Sequence, residues 1–169
     1  QAFEIYPPRE ILSLYFENSN NDMFIDSEEG CVPRKKIRVR TYPNDTNLIY
    51  NLEIKINSSE GRYKSSKTLN NESYKKLLNS GFVDKLYGTC FPKVYIRYYR
   101  KYFFLWDSRI TIDNKINYKS FFSDISSYKD NDIIVEIKSN DTHFKEKLIN
   151  LFPFQRHRFS KYCKSYNYI

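Results

Sequence analysis

The sequence predicts an α+β chain in which antiparallel strands dominate and helices are a minority. Segments that alternate apolar and polar residues with period two recur along the chain, as strands with two unlike faces require. Turn-forming pairs such as Asn44-Asp45 and Glu60-Gly61 separate consecutive segments at hairpin distance. Helical spacing is confined to three short stretches. At 169 residues, with 40% hydrophobic and 18% aromatic content, the chain forms one domain over residues 1–169 with enough apolar surface for a core, which excludes disorder as its main state.

Taken in order, residues 11–17 read as a strand that follows Pro7-Pro8. Residues 34–42 place Lys36, Arg38, Arg40 and Tyr42 on one face and Ile37, Val39 and Thr41 on the other. Residues 50–56 repeat the device, with Leu52, Ile54 and Ile56 opposite Glu53 and Lys55, and residues 62–68 return as the next arm with Lys64 at the centre. Residues 69–81 form a helix, capped by Asn70 or Asn71, with Tyr74, Leu77 and Leu78 on its apolar face. The segment 93–105 is strand, with Tyr98, Arg100 and Tyr102 sharing one parity. A turn at Asp107-Ser108 leads into residues 108–113, where Arg109, Thr111 and Asp113 oppose Ile110 and Ile112. A short helix is expected over 118–125, a strand over 133–138 with Glu136 and Lys138 on one face, and a helix over 143–152.

The formal charge of +8 favours an anionic partner. Lys, Asn, Tyr and Ile are over-used together, as in A/T-rich coding sequence, so the arginine positions carry more information than the lysines. One alternating strand is most simply half of a solvated sheet. Across the set, however, the polar positions are mainly basic, whereas a solvated face mixes both signs. Closing the sheet into a barrel would gather the basic faces in one lumen and turn the aliphatic faces outward beneath the helices.

Other chemistries find little support. No glycine-rich phosphate loop occurs, and the apolar runs fall far short of the roughly 18 residues of a membrane span. Cys31, Cys90 and Cys163 match neither a disulfide framework nor a zinc pattern and read as reduced thiols of a cytoplasmic protein. The Asn-x-Ser/Thr triplets at Asn44, Asn57, Asn71 and Asn140 are expected by chance in an asparagine-rich chain. His143 and His157 have no triad context, Asp107 and Asp113 read as turn and wall residues rather than a glycosidase pair, and Trp106 and the tyrosine-rich tail over 162–168 read as packing.

Six motifs occur in a telling order: Ser13-Leu14-Tyr15-Phe16-Glu17, Arg34 through Tyr42, Leu52-Glu53-Ile54-Lys55, Arg109-Ile110-Thr111-Ile112-Asp113, Ile134-Val135-Glu136-Ile137-Lys138 and Phe159-Ser160-Lys161-Tyr162. Together they resemble the VTC domain of polyphosphate polymerases, in the CYTH-like triphosphate tunnel metalloenzyme superfamily, from about Tyr6 to Tyr166. The resemblance implies a closed, eight-stranded antiparallel tunnel with helices outside. It assigns catalytic phosphate contacts to Arg38, Arg40, Lys55, Arg100 and Lys161. Further phosphate contacts fall to Lys36, Tyr98, Lys138, Arg158 and Ser160, and to Lys64 or Lys67. Glu136 would hold Mn2+ or Mg2+. The closing Lys-x-Ser-Lys element stands here as Arg158-Phe159-Ser160-Lys161, an arginine that can still donate to phosphate. The family's first tunnel strand would lie before Gln1, so the domain is expected to be truncated at its N-terminus.

The implied reaction is phosphoryl transfer from ATP to a growing inorganic polyphosphate chain. Its partners would be ATP, polyphosphate and phosphate or pyrophosphate, with no DNA, and membrane association only through another chain. The alternatives are a tri- or polyphosphatase of the same superfamily and a non-catalytic module that binds polyphosphate or RNA.

Overall fold

Alternation along the sequence becomes pairing in register across most of the chain. The computed structural model describes residues 2–123, 127–139, 147, 150, 155 and 157–169. Nine strands are present among them: β1 (Phe3–Glu17), β2 (Arg34–Thr41), β3 (Tyr50–Ser58), β4 (Gly61–Leu69), β5 (Phe82–Asp84), β6 (Gly88–Leu105), β7 (Ser108–Ser120), β8 (Ser127–Asp130) and β9 (Ile134–Ser139). Three helices accompany them: α1 (Asp22–Glu29), α2 (Asn71–Ser80) and α3 (Lys161–Ser165). The strands pair antiparallel in the order β4-β3-β2-β1-β6-β7-β8, with β5 on β6 and β9 on β7.

Several expectations are corrected. The strand expected at 11–17 begins at Phe3 and runs through Pro7-Pro8, where its register with β6 shifts between Tyr6 and Arg9 because proline lacks a ladder donor. The turn expected at Asp107-Ser108 lies one residue earlier. Trp106 and Asp107 have φ of 45° and 53°, the positive pair that a two-residue hairpin turn needs, although neither is glycine. The helix expected over 118–125 is instead the end of β7. Tyr118 pairs across to Ile96 and Tyr128, is fully buried, and donates to Asp130 at 3.1 Å. Residues 124–126, and the helix expected over 143–152 apart from Lys147 and Asn150, lie outside the described residues, as does His143. Helices α1 and α3 and the short strands β5 and β8 have no counterpart in the sequence expectations.

Sheet parity produces two cores. On one face Leu14, Phe16, Ile37 and Val39 are buried with Met23 of α1, and Leu77 and Leu78 of α2 pack against them. Helix α2 starts where the Asn70 side chain accepts from the Ser73 amide at 2.8 Å. It stops at Gly81, whose φ of 74° suits glycine and where an added Cβ would lie 2.8 Å from the Cys90 carbonyl. On the other face Ile11, Tyr15, Val94, Ile96, Ile116 and Tyr118 pack beneath Tyr162 of α3. Fully burying each large apolar side chain contributes about 1.5–3 kcal/mol, and the buried Tyr162 anchors α3 on this core.

The expected closed eight-stranded barrel is replaced, among the described residues, by a sheet of nine strands that hydrogen bonds do not close: β4 lies at one end and β8 with β9 at the other. The basic face of β2 and β3 does turn away from α2, as alternation implied. On β6 and β7 that same face is divided between the apolar floor under α3 and a charged remainder.

Candidate functional site

The charged remainder is built strand by strand. Register sets Arg38 opposite both Tyr15 and Glu53, and Arg40 opposite both Ser13 and Asn51. Lys36, Lys55 and Lys64 form one row across β2, β3 and β4. Like charges directly across strands repel, and here three stand side by side.

Two buried carboxylates organise the cations. Glu53 accepts from Arg38 Nε at 2.7 Å and from Lys64 Nζ at 2.6 Å, with Arg40 at 3.9 Å. Burial opposes its ionisation, but Arg38 and Arg40 outweigh burial and hold the carboxyl at about 2. Asp113 accepts a bidentate pair from Arg100 at 2.5 and 2.7 Å, and Lys161 Nζ at 2.5 Å. Burial likewise opposes its ionisation, and the hydrogen bond from Arg100 leads the effects that keep it below the ordinary range.

Tyrosines sit among these groups. The Tyr15 hydroxyl accepts from Arg38 at 2.8 Å, and Tyr98 accepts from Arg40 at 3.2 Å while Lys161 lies over its ring at 4.8 Å. Burial would raise the Tyr15 phenol, but Arg38 and Arg40 draw it down to about 8. Lys55 is open to solvent yet set in a surface crowded by protein. Desolvation first, then the field of Arg38, lowers it to about 8. Lys138 of β9 adds to that field.

Helix α3 closes one side. Ser160 caps it, accepting from the Cys163 amide at 3.3 Å, and also accepts from Lys36 Nζ at 2.7 Å. On this face Lys36, Arg38, Arg40, Lys55, Lys64, Arg100, Lys138 and Lys161 surround, among the described residues, Glu53, Asp113 and Glu136 as carboxylate partners. A cationic concavity lined by guanidinium, ammonium and phenol donors suits a chain of phosphates.

A family model for the VTC domain matches residues 6–169. The chain belongs to the VTC domain family. Two solved structures share its fold. One is a Bacillus halodurans protein described as a "putative adenylate cyclase", 12% identical with a TM-score of 0.63 over 97% of this chain and 94% of that one. The other is HpAC1 from Hippeastrum, described as a "putative adenylyl cyclase" with a dominant triphosphatase activity, 14% identical with a TM-score of 0.59 over 97% of this chain and 84% of that one. No curated protein sequence matches the chain.

In this VTC domain most of the residues singled out in the sequence come together: Lys36, Arg38, Arg40, Lys55, Lys64, Tyr98, Arg100, Glu136, Lys138, Ser160 and Lys161. Two do not. Lys67 lies opposite Leu52 and so faces away from Lys64. Arg158 reaches α1, donating to the Ser27 carbonyl and lying against Gly30. Sequence reasoning did not assign site roles to Tyr15, Glu53 or Asp113. Their signal was parity alone, since each shares the basic face of its strand.

No group of three His, Cys, Asp or Glu side chains suited to a metal occurs among the described residues. A magnesium-type cation needs fewer, because one or two carboxylates plus substrate phosphates complete its shell. Glu53 and Asp113 are enclosed, with side chains 5% and 1% exposed, whereas the Glu136 side chain is 45% exposed. Burial opposes its ionisation, yet Lys138, at 3.2 Å, keeps it below the usual carboxylate range. Glu136 therefore presents the anionic oxygen that fits such an ion. No helix among the described residues is long and apolar enough to cross a membrane.

Proposed function

We propose that this VTC domain transfers the γ-phosphoryl group of ATP to the end of an inorganic polyphosphate chain. The observation that carries the reading is the in-register lysine row beside Arg38 and Arg40, a concentration of like charge that bound phosphates would neutralise. Arg38 and Arg40, braced by Glu53, clamp non-bridging oxygens, and Lys36, Lys55 and Lys64 track the chain. Arg100 and Lys161, fixed by Asp113, face the transferring group, with Tyr98 and Ser160 as hydroxyl donors. Glu136 would hold Mn2+ or Mg2+, which when bound would neutralise charge on phosphate oxygens. The acceptor is itself an anionic phosphate, so the protein need supply no nucleophile. On this reading the chain works in the cytoplasm.

A second reading is hydrolysis of tri- or polyphosphate at the same site. The Hippeastrum neighbour, which bears a triphosphatase description, supports it.

Incubation with ATP and Mn2+, followed by a gel for polymer and an assay for free phosphate, separates the two. Polymer that disappears in Arg40→Ala and Glu136→Ala is the expected result. Free phosphate alone would replace the polymerase with the hydrolase, and tight polyphosphate binding without turnover would remove both.

A further inference from the structure

The cationic face does not end at its carboxylates. Beyond Arg100, β6 carries Tyr102 and Phe104 at the same parity, and register extends each into a row. Tyr6, Tyr102, Thr111 and Glu136 lie opposite one another on β1, β6, β7 and β9, and Phe3, Phe104, Arg109 and Lys138 form the next row. Each row is aromatic on β1 and β6 and polar or charged on β7 and β9. The rings meet in pairs, Tyr6 edge-on to Tyr102 at 5.8 Å and Phe3 tilted against Phe104 at 5.7 Å. Arg9 joins this end to the next strand, donating to the Tyr102 hydroxyl at 3.0 Å and lying over the Tyr42 ring at 4.2 Å.

Tyr102 is buried, but Phe3 and Tyr6 are 57% and 59% exposed. Single exposed apolar side chains are ordinary on a protein surface. Two in successive rows, each braced by a second ring and turned to the same side as Arg100 and Glu136, make a platform. Its spacing fits one class of ligand. Phe104 stands four residues beyond Arg100 on the same face, about 13 Å at the rise of a strand, a distance that an extended nucleoside triphosphate spans from its terminal phosphorus to its base. Glu136 falls in the row between, beside the phosphates of a ligand so placed. A bare phosphate chain would leave the rings unused, and an apolar partner would leave Arg109 and Lys138 unused.

We propose that Phe3, Tyr6 and Phe104 form the nucleoside end of the site, where the base of the phosphoryl donor stacks, and that these rings make the domain choose a nucleoside triphosphate over tripolyphosphate. The inference rests on the reading of ATP as donor, with its γ-phosphoryl group at Arg100 and Lys161 and its α-phosphate toward Arg109 and Lys138.

Isothermal titration in Mg2+ with a non-hydrolysable ATP analogue, and separately with tripolyphosphate, tests it. The wild-type chain should bind the analogue more tightly. Phe3→Leu/Tyr6→Leu, which keeps apolar bulk but removes both exposed rings, should weaken the analogue by about tenfold or more, the scale of stacking one base, and leave tripolyphosphate within about twofold. Tyr6→Phe keeps the ring and should keep the affinity. Tyr6→Leu alone should show the same selective loss, so the test does not depend on how well the double variant folds. Equal losses for the two ligands, or an analogue affinity unchanged in the leucine variants, overturn the nucleoside end and leave the donor reading standing, since that is tested by polymer made from ATP. A wild-type chain that binds tripolyphosphate but not the analogue overturns the donor reading and this inference with it.

Discussion

The Glu53 and Asp113 nodes solve the same problem with different materials. Each is a buried carboxylate that fixes cations on a surface built for anions. Glu53 takes its partners from the contiguous β2–β3–β4 meander, Arg38, Arg40 and Lys64. Asp113 joins Arg100, one hairpin away, to Lys161, which arrives on α3 from 48 residues downstream. The difference teaches that the first half of the site forms with the local sheet, whereas the second half waits for the C-terminal helix to dock.

The largest effects should come from removing the organisers. Glu53→Ala and Asp113→Ala should each destabilise the fold by about 3–5 kcal/mol in urea unfolding, because Arg38 loses its bonded carboxylate and Arg100 keeps Glu136 only at 3.9 Å. The Asp113 variant should also loosen α3, seen as faster amide exchange over residues 161–165. Equal protection of α3 in both variants would erase the distinction between the nodes.

Next comes Lys161→Ala, which should lower turnover about 100-fold, the scale of one lost transition-state donor, with little change in unfolding because Asp113 keeps Arg100. A stability loss matching that of Asp113→Ala would make Lys161 a strut rather than a phosphate contact.

The pH response sharpens the meander's side of the comparison. Lys55, held at about 8, is protonated and attractive at pH 7, and loses that charge as pH rises through 8. Tyr15 becomes phenolate over the same window, adding negative charge. Both changes have one sign, so tripolyphosphate affinity should fall by about tenfold or more between pH 7 and 9. Bound phosphate raises the Lys55 value, so the midpoint should lie above 8. Lys55→Arg with Tyr15→Phe should flatten the profile, and a profile unchanged in that double variant would place the titration elsewhere.

The smallest effect separates the two lysines of β4. Lys67→Ala should change stability by less than about 0.5 kcal/mol and leave phosphate binding alone, whereas Lys64→Ala should weaken binding. Comparable losses in both would mean that β4 twists out of the register seen here.

Much of the meander was legible because its information is local. Residues 34–42, 50–56 and 62–68 alternate cleanly, and the strand bounds in the structure fall within a residue or two of those expected. The VTC motifs followed the same strands. What escaped depended on contacts distant in sequence or on unusual turns. Tyr118 is strand because Ile96 and Tyr128 pair with it, which no window around residue 118 reveals. Trp106-Asp107 forms a hairpin turn without the glycine that ordinarily marks one. The Asp113 role needed α3, whose five residues are too few for helical periodicity to register, and Arg158 was drawn to the carbonyl end of α1, a helix the sequence did not announce.

Three successive residues at the start of α3 each reach a different element: Ser160 meets Lys36 of β2, Lys161 meets Asp113 of β7 and Tyr162 meets Glu17 of β1. In terms of synthesis, residues 160–162 follow each of the strands that they join. A nascent chain that has produced every strand still lacks the residue that completes the Asp113 node, and a product terminated before residue 160 would carry most of the phosphate contacts with no means of setting them. Assembly of the site thus follows synthesis of the segment around residue 160 rather than formation of the sheet.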